Sequence, residues 1–298
     1  MLTSEGWKYY LLNCFGKHFF SFVCCRDVKR ISLAFAQYRH FITIMEVCID
    51  NIKSLENILP TPAIRVELCS SLLEGGLTPS HGFHSMARRL VQSNSRPDPL
   101  LIFPIIRPRG GDFLYTTSEV SIMKRDIMAL SPADGFVIGC LTSNGGIDVE
   151  SCNELIKVAR EKDLALPITF HRAFDMCKNP FEAVRILEKL GVNRILTSGT
   201  YPNAYEGRFM IRDLVQEFPN MTFMAGGGIN KDNLNDILET TRIKEFHASA
   251  RSSYPSDMSF KNDKCYMGQS NRDEYSLLLT SQEKVMELTQ IYEHYVRT

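Results

Sequence analysis

Several marks that place a protein quickly are missing from this sequence. No Cys-x-x-Cys pair occurs among its nine cysteines, so neither a zinc ribbon nor a disulfide framework is written in it, and a reducing, intracellular setting is expected. No uninterrupted apolar run reaches the roughly eighteen residues of a membrane span. The most hydrophobic stretch, Tyr9 to Cys25, is broken by Lys17 and His18. Surplus charge is absent, since 34 basic residues balance 34 acidic ones. No net field therefore favours nucleic acid or an anionic membrane surface. No Gly-x-Gly-x-x-Gly follows the first strand pattern, which argues against an open dinucleotide-binding sheet. No Pro-, Gly- or Ser-rich linker divides the chain, and one main domain is expected.

Residues 1–42 stand apart, with the single Trp, many Phe and Tyr, and Glu5 and Asp27 as the only acids. The reading preferred here is an N-terminal extension, unpacked or lying upstream of a start at Met45. Basic, acid-poor and apolar composition also suits mitochondrial targeting, the alternative.

From residue 43 onward, short β-type runs alternate with amphipathic helical patterns, the signature of a parallel sheet with crossover helices. Eight strands are expected: Ile42–Val47, Ile64–Leu68, Leu100–Ile106, Gly135–Ile138, Pro167–Phe170, Arg194–Leu196, Thr222–Ala225 and Lys244–His247. Helices are expected over Val149–Lys162 and over Pro180–Leu190, the second capped by Asn179 and closed by Gly191. Eight units in roughly 250 residues predict an α/β (β/α)₈ TIM barrel over 43–298, with its functional face at the carboxyl ends of the strands.

Those ends carry the chemistry. Strands one and two share a Glu-x-Cys pattern, Glu46-Val47-Cys48 and Glu67-Leu68-Cys69. Alternation along each strand turns both carboxylates and both thiols toward the barrel axis. Neighbouring strands lie ~4.8 Å apart, so Cys48 and Cys69 are candidate ligands for one soft ion, Cu(I), with zinc as competitor. His171 and His247, with Glu46 and Glu67, are candidate proton-transfer groups. Arg107, Arg109 and Arg172 are candidates to grip a carboxylate or phosphate. Gly226, Gly227 and Gly228 are candidates to hold an anion on backbone amides. Each has a plainer alternative: inert buried thiols, internal ion pairs, a tight turn.

Taken in order, EVCID (46–50), RVELC (65–69), GGLTPS (75–80), IRPRGGDF (106–113), TFHRAFD (169–175), RILTSG (194–199), GGGI (226–229) and EFHASAR (245–251) resemble the CutC copper-homeostasis family over about 43–298. The resemblance implies a barrel with Cu(I)-binding capacity, a mainly cytoplasmic location, with nuclear presence compatible, and homo-oligomerisation. It carries the copper-ligand role to Cys48 and Cys69. Leu59–Ile64 departs from the family's glycine-rich turn before strand two. Two functions follow as expectations: copper homeostasis through Cu(I) binding, or an enzyme acting on a small anionic metabolite.

Overall fold

Strand after strand in the computed structural model is short, apolar on its outer side and followed by a helix, as a sheet buried on both faces requires. The structure describes residues 44–262, 264, 265, 267 and 273–298. The extension expected over 1–42 lies outside them, and the barrel unit runs from Thr43 to Thr298.

The strands are β1 (Ile44–Ile49), β2 (Arg65–Leu68), β3 (Leu101–Pro104), β4 (Phe136–Ile138), β5 (Ile168–Phe170), β6 (Arg194–Thr197), β7 (Thr222–Gly226) and β8 (Glu245–Ala248). They pair in parallel in the order β3-β2-β1-β8-β7-β6-β5-β4, and a parallel bridge from Ile105 to Val137 joins the two ends. The result is a closed (β/α)₈ barrel. Between strands lie α1 (Ile52–Ile58), α2 (His81–Ser93), α3 (Thr117–Ala129), α4 (Val149–Ala159), α5 (Pro180–Lys189), α6 (Arg208–Glu217) and α7 (Leu234–Thr241). After β8 an antiparallel hairpin, β9 (Arg251–Pro255) with β10 (Ser276–Thr280), precedes the last helix, α8 (Gln282–Arg297). The hairpin was not among the expected elements, whereas α8 supplies the helix of the eighth β/α unit.

Local chemistry explains the boundaries. Asn179 accepts from the Glu182 amide at 3.2 Å, Pro180 opens α5, and Gly191 follows it at φ +74°. Asn179→Ala should cost about 1 kcal/mol, the usual worth of an N-cap, measurable by urea unfolding. Helix α4 stops at Ala159, three residues before the expected end. Arg160 turns away there, and its guanidinium bonds the carbonyls of Leu166 and Gly191. The unusual turn before β2 is held from outside its own segment, because Arg96 donates to the carbonyls of Leu59 and Ala63 at 2.8 and 2.7 Å.

Following the strand register around the barrel, each step to the next strand climbs one residue, the shear of this fold. Inward side chains therefore fall into tiers of four from alternate strands. The lowest tier is Arg65, Gly135, Arg194 and Glu245. Above it lie Glu46, Phe103, Thr169 and Met224, then Glu67, Val137, Leu196 and His247, then Cys48, Ile105, His171 and Gly226. A side chain at Gly135 would strike the Phe103 ring, so the glycine makes room for that aromatic at the axis.

Candidate functional site

The two lower tiers form a charged floor. Arg65 donates through Nε to Glu46 and through Nη2 to Glu245 at 2.6 Å. Arg194 donates to the same Glu245 through Nε, and at 3.1 Å through Nη2. Both guanidiniums lie over Phe103, 5.2 and 5.9 Å from its ring centre. Two cations thus meet two carboxylates with little solvent access. Burial works against ionisation of Glu46, but Arg65 and His247 outweigh it and hold the carboxyl down at about 2.

Directly above, β8, β1 and β2 bring His247, Cys48 and Glu67 together. One donor atom from each lies within 4.8 Å of the other two. His247 Nδ1 is 2.7 Å from Glu46 Oε1, and its Nε2 is 3.8 Å from Glu67 Oε2. Burial disfavours the imidazolium, yet Cys48, Glu46 and Glu67 raise its pKa well above the ordinary value. Glu67 goes the other way from Glu46. Burial raises its carboxyl to about 7, helped by the charge of Glu46 and opposed by His247.

Cys69 stands one tier higher than Cys48 on the neighbouring strand and is not a member of that three-residue cluster. Its Sγ is 3.5 Å from Glu67 Oε2, and it packs against Phe103, Ile105 and Val137. Burial and the adjacent carboxylate push its thiol well up. Alternation put both cysteines on the inward face but could not give their relative height, which depends on register.

Cys48, Glu67 and His247 line a cavity of about 290 Å³ whose walls also include Arg107, Phe113, His171, Arg172, Gly227 and Arg251. His171 Nδ1 accepts from the Ala173 amide at 3.1 Å. Burial and the Arg107 charge hold the ring neutral, with a pKa of about 3, so its proton sits on Nε2. That makes it a hydrogen-bond donor to the cavity rather than a base near neutral pH. Arg107 lines the wall, but its Nη atoms are taken by the carbonyls of Glu74, Gly76 and Gly111. Arg109 lies outside the cavity lining: it pairs with Glu119 and Asp112 and stacks on Tyr115. Arg172 is shared between Asp175 and Ser198 beside Gly227. Gly226 packs under Leu196 and His247, while Gly227 and Gly228, at φ +99° and +73°, form the rim.

Arg65, Arg194, Glu245 and the cavity cation Arg251 were not among the sequence candidates. The first had a signal, since Arg65, Glu67 and Cys69 alternate on one strand and must share a face.

The CutC family model matches residues 43–252. The mouse copper homeostasis protein cutC homolog is 46% identical over 252 residues, covering 83% of this chain and 89% of the relative. A CutC protein of Vibrio parahaemolyticus is 40% identical over 247 residues, 82% of this chain and 96% of its own length. Among solved structures, CutC from Streptococcus agalactiae superposes with a TM-score of 0.64 at 32% identity, covering 70% of this chain and 98% of that one. With that match and the barrel on which the motif residues stand, the chain belongs to the CutC family.

Proposed function

We propose that this protein takes part in copper homeostasis by holding Cu(I) in the cytoplasm, with Cys48 and His247 as principal donors and Glu67 beside them. The convergence of these three side chains within 4.8 Å carries the reading. Thiolate and imidazole both suit Cu(I), and the carboxylate is the donor it needs least. Glu46 supports the same reading, because it occupies His247 Nδ1 and leaves Nε2 for an ion. One thiol, one imidazole and one carboxylate would equally make an open zinc site, so zinc is the competitor to test. Cys69 acts on the ion through Glu67 in this arrangement.

The test is a competition titration with a strong Cu(I) chelator, repeated with Zn²⁺. Cys48→Ser should weaken Cu(I) binding by about a hundredfold or more, and Cys69→Ser by about tenfold at most, as for a group next to a ligand. Equal losses in the two variants would return the ion to a Cys48–Cys69 pair. Tighter retention of zinc than of Cu(I) would overturn the copper assignment.

A further inference from the structure

Among the described residues, five buried side-chain nitrogen or oxygen atoms have no hydrogen-bond partner: Glu67 Oε1, His84 Nε2, Arg107 Nε, Tyr115 Oη and His171 Nε2. Three of the five belong to residues lining the same cavity. Leaving such an atom unpaired is unfavourable, so their concentration in one place points to a ligand there. His171 is the most informative. It is 3% exposed, its Nδ1 is already engaged, and only an acceptor atom can satisfy its Nε2–H.

The rim offers a second, separate set of donors. Arg172 spends Nε on Asp175 and Nη2 on Ser198. Its Nη1 faces the Gly227 backbone, 3.3 Å from where a Cβ would stand. Arg251 lines the same rim and makes no ion pair among the described residues. The amides of Gly227, Gly228 and Ile229 likewise donate to no group among the described residues, while the Gly227 carbonyl is taken by Ala204. Ala250, beside Arg251, holds φ +47°, a conformation that costs a non-glycine residue free energy and clusters at ligand sites. A cation and free amides on the loops after strands seven and eight are how this fold holds a phosphate, and here Arg172 joins them from the loop after β5.

We propose that the cavity binds a small phosphorylated carbonyl compound, with its phosphate on Arg172, Arg251 and the Gly227–Ile229 amides and its carbonyl oxygen on His171 Nε2–H. A phosphate is favoured over a carboxylate because the donors come from several directions and three terminal oxygens can use them. A carbonyl is favoured over a hydroxyl because His171 can only donate and the carbonyl can only accept. The volume, about 290 Å³, is at the low end for ligand pockets, so the carbon skeleton is short. None of the residues assigned to the ligand belongs to the Cys48–Glu67–His247 cluster, and the inference stands apart from copper binding.

The experiment is isothermal titration of the full chain in chelator with four probes: inorganic phosphate, dihydroxyacetone phosphate, dihydroxyacetone and pyruvate. Dihydroxyacetone phosphate should bind more tightly than phosphate, and the two unphosphorylated probes should not bind measurably. Arg251→Gln, which disturbs no internal side-chain bond, should weaken phosphate and dihydroxyacetone phosphate alike by about tenfold or more. His171→Asn keeps an acceptor for the Ala173 amide and loses the Nε2–H. It should weaken dihydroxyacetone phosphate by about tenfold and leave inorganic phosphate unchanged. The proposal is overturned if no phosphate compound binds, if pyruvate binds as tightly as dihydroxyacetone phosphate, or if His171→Asn weakens both phosphate probes equally.

Discussion

Arg65→Leu is expected to lower folding stability by about 3–5 kcal/mol, the cost of removing one partner from a buried ion pair. The substitution strips Glu46 of its strongest cation and leaves Glu245 to Arg194 alone. Neither carboxylate has solvent to fall back on. Leucine fills part of the space, so the loss reports charge more than a void. Urea unfolding at neutral pH measures it, with Arg65→Lys retaining part of the stability by keeping a charge without the planar fork. A loss below about 1 kcal/mol in Arg65→Leu would mean that the floor's charges are not held ionised against one another.

Acid should reveal the same floor. The Glu46 carboxyl ionises at 4.5 ordinarily and at about 2 in the fold, a difference worth about 3 kcal/mol. Because the folded value is depressed, this stability is present above pH 4.5 and drains away as pH falls toward 2. Glu67 has the opposite sign. Its folded value is raised to about 7, so its contribution is present below pH 4.5 and is lost as pH rises through 7. His171 and His84, held neutral at about 3 and 4 in the fold against an ordinary 6.5, lose stability as pH falls below 6.5 and oppose the Glu67 gain. Metal-free protein should therefore show no net gain between pH 7 and 5 and a steep loss below about 4.5. Urea unfolding in chelator across that range checks both arms. Glu46→Gln should flatten the acid limb, and Glu67→Gln should make stability fall more steeply as pH drops from 7 to 5, because nothing then offsets the two histidines. An acid limb unchanged in Glu46→Gln would place the loss on other carboxylates.

The alternation of short apolar runs with capped helices made the barrel legible, because a buried parallel strand leaves few other sequences open to it. The inward face of β2 was equally readable from Arg65, Glu67 and Cys69. What periodicity could not supply was height around the ring. Cys48 and Cys69 share the inward face, yet the one-residue climb between neighbouring strands sets them on different tiers, so that Cys48 meets Glu67 and His247 instead. Arg109 illustrates a second limit. It follows a strand end as Arg107 does, but Glu119 at the start of α3 draws it outward, a contact set by the packing of a helix rather than by position in the motif. The hairpin lies between the eighth strand and its helix α8, an insertion that the repeating pattern did not signal.

The charged floor also settles the traffic through the barrel. Phe103, with Arg65 and Arg194 laid against it, closes the axis from below among the described residues, and the cavity opens toward the carboxyl ends of the strands. Anything bound at Arg172, Arg251 and Gly227 stands in that doorway, above Cys48 and His247. If both proposed ligands bind, an ion at the inner position would enter before such an occupant and leave after it. The two ligands would queue rather than compete, and a phosphorylated compound at the rim would lengthen the residence of an ion beneath it without touching it.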